Sequence, residues 1–187
     1  TLNPSSAASD VYKRQHRDCR ECLLLTGKYN KNATVSSVIL PSRKVFTRTF
    51  DEINGYKKNF IEDPKFLIEP IKTIIRSQLT PALAEELNLC FLDENLALLG
   101  SSTKPPQSPF IQNFHILAKL PKIKKKIQAA LKHYKCGVLE IKKRGILIDP
   151  EEERKKFKVK GKQNKTLFYT RLNGRPVVYL CERLESQ

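Results

Sequence analysis

The sequence predicts an α+β fold, in which helices pack on one sheet. Three observations lead to this prediction. Short β-rich stretches recur along the 187-residue chain. A helical apolar stripe lies at residues 122–134, between two such stretches. Near the end of the chain, the dipeptide Asn173-Gly174, typical of a type I′ turn, separates two apolar stretches.

The first predicted strands lie before residue 51. They are Cys19–Leu25, Thr34–Leu40 and Lys44–Phe50. Residues 51–65 are polar and are predicted to be a domain boundary, with Asn54-Gly55 as a turn and Lys57–Asn59 as a linker. Cys19 and Cys22 have the CxxC spacing, but no second ligand pair follows, so we predict no metal site.

The middle of the chain alternates short strands and helices. The predicted elements are a strand at Phe66–Pro70, helices at Ile71–Gln78 and Ala82–Leu87, and short strands at Leu89–Leu92 and Leu96–Leu99. Residues 100–109 form a loop by composition. A strand follows within Phe110–Leu120, with Phe114, Ile116, Ala118 and Leu120 expected on one face.

The clearest predicted helix covers residues 122–134. Ile123, Ile127, Ala130, Leu131 and Tyr134 form its apolar stripe. Gly137 is the predicted residue after its C-cap. The last element is a hairpin, Leu167–Leu172 with Pro176–Arg183, in which Tyr169 should pair with Val178 and Phe168 with Tyr179.

The most informative stretch is Gly137–Pro150. A strand with alternating Leu139 and Ile141 ends in three consecutive cations, Lys142, Lys143 and Arg144, followed by Gly145. Asp149 and Pro150 then predict the start of a short helix. Side chains at a strand end can point at a ligand, although an ordinary strand with a solvated charged end gives the same pattern.

Charge and composition restrict the function. Residues 1–56 hold nine Lys or Arg against five Asp or Glu, and residues 57–100 hold five against seven. Residues 101–187 hold twenty-one against seven, or +14 of the total +16. Such a field attracts polyanions, with nucleic acid as the first candidate. The chain has no apolar run long enough to span a bilayer, so no membrane partner is predicted.

Two further features concern the setting of the chain. Five cysteines, an odd number, indicate no disulfide framework and predict a cytoplasmic protein. The chain has no methionine, and residues 5–15 resemble a translated sequencing adaptor. We therefore expect residues 1–15 to be an artefact or a disordered tail.

Several motifs carry a family resemblance. The run Glu140–Gly145, the segment Asp149–Glu152 and the segment Thr170–Pro176 resemble the THUMP-like C-terminal region of a family of bacterial class I S-adenosylmethionine-dependent methyltransferases. Upstream, Glu69-Pro70, Ile74–Ser77 and Ala82–Leu87 resemble the small ferredoxin-like segment that precedes this region. Ser108-Pro109-Phe110 also fits the pattern, and the resemblance covers residues 17–185.

The resemblance implies four parts. Residues 1–15 are the tail, and residues 16–50 are the last antiparallel strands of a Rossmann-like methyltransferase domain. Residues 57–100 are the ferredoxin-like segment, and residues 101–187 are the THUMP-like domain, with a mixed sheet and helices. The chain is then an N-terminally truncated fragment, and its own N-terminal methyltransferase domain is an expected partner.

The cofactor motif of this family is not found in the sequence. The chain has seven glycines and no G-x-G motif, so we assign it no catalytic, cofactor-binding or metal residue, and S-adenosylmethionine is expected only in the intact parent enzyme. Whether this chain is itself an enzyme stays open.

The predicted function is RNA recognition for a methyltransferase, with tRNA or rRNA as the partner. Two alternatives are a stand-alone RNA-binding or ribosome-associated module, and a structural or dimerisation region. The predicted RNA-binding residues are Lys142, Lys143, Arg144, Lys122, Lys125, Lys160, Arg171 and Arg175.

Overall fold

The computed structural model describes residues 34–185 and has the predicted α+β composition. A two-stranded antiparallel sheet, β1–β2, precedes a seven-stranded sheet with the order β4-β5-β3-β6-β9-β8-β7. The strands are β1 Thr34–Ile39, β2 Lys44–Thr49, β3 Phe66–Pro70, β4 Cys90–Phe91, β5 Leu99–Ser101, β6 Ile111–Pro121, β7 Cys136–Lys143, β8 Gln163–Leu172 and β9 Arg175–Arg183. The predicted strand Cys19–Leu25, the CxxC pair and the tail lie outside the described residues.

Five helices accompany the strands in the described part of the chain. They are α1 Phe50–Gly55, α2 Lys72–Arg76, α3 Thr80–Glu86, α4 Lys124–His133 and α5 Pro150–Lys155. None of them is long and apolar enough to cross a membrane. The last four were expected from the sequence, with ends that differ by one or two residues.

Helix α1 corrects the prediction of a turn at Asn54-Gly55, whereas residues 57–59 lie in no helix or strand. Thr49 caps this helix, because its side chain accepts a hydrogen bond from the Glu52 backbone N–H while the Glu52 side chain accepts one from the Thr49 backbone. This is a capping box, and its Thr-x-x-Glu signal is present in the sequence. The Asn54-Gly55 pair ends the helix and does not form the predicted turn.

The C-terminal strands follow the predicted pairing. Strands β8 and β9 form an antiparallel hairpin in which Tyr169 pairs with Val178 and Phe168 with Tyr179. Asn173 and Gly174 have φ angles of 47° and 77°, as a two-residue type I′ turn requires. Strands β7 and β8 are parallel, joined by a crossover that contains α5, whereas all other pairs are antiparallel.

A β-bulge corrects the predicted faces of β6. The pairing of β6 with β9 shifts between Ile116 and Ala118. Phe114 and Ile116 therefore pack on one face of the sheet, while Ala118 and Leu120 join the core on the opposite face. The extra residue of a bulge reverses the alternation that follows it, which the simple period of two could not predict.

The seven-stranded sheet has a core on both faces. On one face, Ile127 and Leu131 of α4 pack against residues of β7, β8 and β9. On the other face, Phe114 and Phe168 meet edge to face with ring centroids 4.8 Å apart. A third core lies under β1, β2, α2 and α3. Because β3 pairs with β6, the segment 57–100 contributes strands to the same sheet as residues 101–187.

The end of α4 also differs from the prediction. Tyr134 is the C-cap, and Lys135 has the left-handed φ of 51° that Gly137 was expected to supply. Gly137 instead lies in β7, close to the backbone of Gly161, whose oxygen would be 2.3 Å from a Cβ placed on Gly137. Glycine is needed at position 137 because two backbone segments approach each other there.

Candidate nucleic-acid interface

Two of the three consecutive cations at the end of β7 are paired with one buried carboxylate. Lys142 Nζ lies 2.6 Å from Glu69 Oε2, and Arg144 NH2 lies 2.5 Å from Glu69 Oε1. Lys142 also donates to Gln112 Oε1 at 3.2 Å. The side chains of Glu69, Lys142 and Arg144 are 8%, 18% and 32% exposed. We call these three residues the Glu69 cluster.

The Glu69 cluster shows that the sheet curls. Glu69 lies on β3 and Lys142 on β7, four strands apart in the sheet order. In a flat sheet, four spacings of about 4.8 Å would separate the strands by about 19 Å. Lys142 Nζ also lies over the rings of Phe114 and Phe168, at 5.4 and 5.9 Å from their centroids. The concave face therefore brings β3 and the edge strand β7 together around Lys142.

A second group of cations is exposed where the β8–β9 hairpin turns. Lys143, Arg171 and Arg175 lie in this region, and Lys122 joins them because Pro121 at the end of β6 pairs with Val177. The Lys143 ammonium donates to the Ile148 carbonyl, and the other three have no acidic partner among residues 34–185. Lys122, Lys143, Arg171 and Arg175 form the hairpin-end surface.

The remaining two predicted residues belong to a third group. Lys125 lies in the first turn of α4, and Lys160 lies in the segment between α5 and β8, beside the end of α4. Lys124, Lys132, Lys135, Lys158 and Lys162 accompany them, and all seven are exposed. These seven lysines form the helix–loop surface. The sequence signal was the alternation of lysines at 158, 160 and 162, but their position beside α4 was not predictable from it.

The eight predicted residues therefore divide over three places. Lys160 lies near Cys136, at the start of β7, while Lys142, Lys143 and Arg144 lie at its end. Seven residues at about 3.3 Å each separate the two ends of the strand by about 23 Å. The structure brings Lys142 and Arg144 together on Glu69, and it does not bring Lys160 into their neighbourhood.

Other chemistry is limited in the described region. No cluster of three or more His, Cys, Asp or Glu side chains within residues 34–185 could hold a metal ion. Burial raises the pKa of the Cys136 and Cys181 thiols, so both are poor nucleophiles at neutral pH. Burial likewise raises the pKa of Tyr179 to about 12, so its hydroxyl stays protonated.

Comparison with known proteins identifies the C-terminal region. Residues 111–183 match the model of the THUMP domain-like family. Two relatives, described as uncharacterized S-adenosylmethionine-dependent methyltransferases, come from Mycobacterium tuberculosis strains CDC 1551 and H37Rv. Each is 26% identical to this chain over 110 residues, which is 59% of this chain and 30% of the relative.

A solved structure has the same fold. It is the crystal structure of a candidate methyltransferase from Porphyromonas gingivalis W83, with a TM-score of 0.68 and 20% identity. The match covers 89% of this chain and 42% of that protein. This chain thus spans less than half the length of the proteins that it matches. The resemblance to a THUMP-like region of S-adenosylmethionine-dependent methyltransferases is confirmed.

The described residues do not fit the cofactor that these relatives' names imply. A cavity of about 210 Å³ is lined by Gln107, Gln112, Asn113 and Arg183 among others, and no carboxylate faces it to hold ribose hydroxyls. The loop after β7 contains Gly145, which is exposed, and a Cβ there would lie 2.3 Å from the Leu96 side chain, so the loop packs closely on Leu96. We therefore derive no step through S-adenosylmethionine.

Proposed function

We propose that this chain, with its THUMP-like region at residues 111–183, is the RNA-recognition portion of a bacterial S-adenosylmethionine-dependent methyltransferase. In this proposal the intact enzyme carries the cofactor and transfers a methyl group to tRNA or rRNA in the cytoplasm. The names of the relatives support the methyltransferase part. The observation that carries the RNA part is the excess of exposed cations without acidic partners in the described THUMP-like region.

The hairpin-end surface supplies the contacts with RNA in this proposal. Arg171 and Arg175 present planar guanidinium groups that can bind a phosphate through two hydrogen bonds or stack on a base. Lys122 and Lys143 add point charges for phosphates beside them. Four such groups at one end of a sheet favour a structured RNA over a small anion, since several phosphates must approach at once.

Lys142 and Arg144 have a different part in the same proposal. Their charges are already paired with Glu69, so a phosphate must compete with a buried carboxylate to engage them. Arg144 keeps about a third of its side chain exposed and can present one edge to RNA while it holds Glu69. Lys142 is a positioning residue, because it fixes the end of β7 from which Lys143 and Arg144 project.

The N-terminal strands support a partner for this region. Val38 and Val45 pair across β1 and β2, and both are exposed, at 43% and 54%. Leu40, at 67%, lies next to them in the chain. We propose that a methyltransferase domain covers this apolar face. The division into residues 16–50, 57–100 and 101–187 is part of the same proposal.

Filter binding across a range of salt concentrations tests the RNA proposal. The parent chain should bind tRNA and rRNA fragments with a log–log salt slope of about −0.7 to −0.9 per phosphate neutralised. In the hairpin-end variant, Gln replaces Lys122, Lys143, Arg171 and Arg175. The salt slope of this variant should be shallower by the amount expected for about two to three lost phosphate contacts.

A matched variant controls for the loss of charge. Arg43, Lys44, Lys57 and Lys65 are exposed cations outside the THUMP-like region, and changing all four to Gln removes the same charge. This control should bind nearly as the parent does. If the parent chain does not bind RNA even at low salt, the proposed function is wrong. If the hairpin-end variant and the control weaken binding equally, the site is wrong.

A further inference from the structure

The segment 158–162 is fixed against α4 by hydrogen bonds from both sides. The Gln128 side chain donates to the Lys158 carbonyl at 2.8 Å and accepts from the Lys158 backbone N–H at 2.9 Å. Further along, the Gly161 N–H donates to the Cys136 carbonyl, and the Lys162 N–H donates to the Lys135 carbonyl. A stretch that the sequence presents as a cationic loop therefore has a defined path beside the helix.

The close approach at the end of α4 requires Gly161. A Cβ on this residue would lie 1.8 Å from the Lys135 carbonyl oxygen. That oxygen accepts hydrogen bonds from both Lys162 and Gln163. The backbone here is thus in contact over several residues, so Lys160 and Lys162 are held next to Lys135.

Lys135 itself has an unusual conformation for its residue type. Its φ of 51° places it in the left-handed region after the C-cap, where glycine is common because it has no Cβ. A lysine at this position is disfavoured by its backbone conformation. Its side chain is exposed and has no acidic partner within residues 34–185.

Three of the four lysines of α4 face the same side as the segment 158–162. At about 100° per residue, Lys124, Lys125 and Lys132 lie within about 60° of Gln128 around the helix axis. Gln128 marks the side on which the segment packs. All seven lysines of the helix–loop surface lack a carboxylate partner among the described residues. They form one continuous cationic surface that no single stretch of sequence contains.

We infer that the helix–loop surface is a second binding site for RNA phosphates, about 23 Å along β7 from the hairpin-end surface. This inference rests on the proposed function and adds a site to it. The charged groups are all lysine ammonium groups, which attract phosphate without the fixed geometry that reads a base edge. Tyr134 and Phe157, which lie beside this surface, pack into the core, so their rings are not available for a base to stack on. It binds the backbone of structured RNA independently of sequence.

Matched variants test this site separately from the first. Changing Lys132, Lys158, Lys160 and Lys162 to Gln removes four of the seven lysines and keeps the backbone contacts of the segment. With a tRNA probe, the log–log salt slope of the variant should be shallower than that of the parent by about 2. If the two chains bind equally at about 1 M salt, the variant then binds about 100-fold more weakly than the parent at 0.1 M salt. The variant with Arg43, Lys44, Lys57 and Lys65 changed to Gln is the control.

The substitution Lys135→Gly separates binding from folding. Glycine suits the left-handed conformation, so the melting temperature should not fall, while the affinity for tRNA should drop by about 5-fold at 0.1 M salt. If the parent and both lysine variants bind tRNA with equal affinity, the second site is wrong. If the hairpin-end variant still binds tRNA more weakly than the parent in that case, the proposed function is unaffected. Vesicles containing phosphatidylserine provide a further test. If they displace tRNA from the parent chain at an equal concentration of negative charge, the inference is wrong, because the surface then has no preference for RNA.

Discussion

Glu69→Gln is the most direct test of the Glu69 cluster. The substitution keeps the size of the side chain and an oxygen that can accept a hydrogen bond, but it removes the negative charge. Lys142 and Arg144 then lose their shared carboxylate, and their side chains are only 18% and 32% exposed. Lys142 keeps a longer contact with the half-exposed Glu140, whose Oε1 lies 3.7 Å from Lys142 Nζ. Lys142 keeps its contacts with the Phe114 and Phe168 rings, which offset a small part of the loss.

The magnitude follows from the burial of the three groups. Removing one partner of a buried ion pair costs about 3–5 kcal/mol, because the remaining charge is left without compensation. Arg144 reaches water with part of its guanidinium, which places the expected loss at the lower end, about 3 kcal/mol. For a chain of this size, 1 kcal/mol lowers the melting temperature by about 2–4 °C, so the shift should be about 10 °C.

Thermal and urea unfolding of the full chain measure this loss. Glu94→Gln is the control, since Glu94 forms an ion pair with Lys58 in which the two side chains are 64% and 30% exposed. That pair should contribute about 0–1 kcal/mol. The combined change of Glu69, Lys142 and Arg144 to Met should recover most of the stability. If Glu69→Gln destabilises no more than Glu94→Gln, the cluster does not hold the curled sheet together.

Two other substitutions and one titration test the fold. Gly161→Ala should lower the melting temperature, because the new Cβ would meet the Lys135 carbonyl. Gly55→Ala is the control, since a Cβ there has open space and should not lower the melting temperature. Equal effects of the two substitutions would contradict the close approach at Gly161. Ile127→Ala, at 1% exposure, should cost about 3 kcal/mol in urea unfolding, while Ile123→Ala, at 50%, costs much less. Backbone hydrogen bonds in the first turn of α5 lower the pKa of Asp149 below its ordinary 3.8. The contribution of Asp149 to stability as a helix cap is therefore present above pH 3.8 and is lost as the pH falls through the folded-state pKa. An NMR titration that shows no lowering of the Asp149 pKa would refute this.

Local signals in the sequence predicted much of the fold. The Asn173-Gly174 pair determines the β8–β9 register, because a two-residue turn leaves only one pairing. Asp149 and Pro150 likewise begin α5 as expected, with Asp149 accepting hydrogen bonds from the next turn. Each of these features depends on residues within a few positions of each other, so it is visible without knowledge of the tertiary structure.

The candidate site was less predictable because it depends on distant residues. Two cations of the run, Lys142 and Arg144, pair with Glu69, which lies 73 residues before Lys142 in the chain. The bulge in β6 and the left-handed Lys135 also depend on packing against other elements. A cluster of cations in a sequence therefore does not reveal which of them are neutralised in the fold.

The pairing of β3 with β6 limits which segment of this chain can be transplanted into a related protein. A graft that begins at residue 101 would transfer Lys142 and Arg144 without their carboxylate, and it would open the backbone edge of β6 that β3 occupies. An open edge invites pairing with other chains. The family match begins at residue 111, yet the piece that can be transplanted with its charges balanced must include β3. The boundary of the sequence motif and the boundary of the physical unit are therefore different.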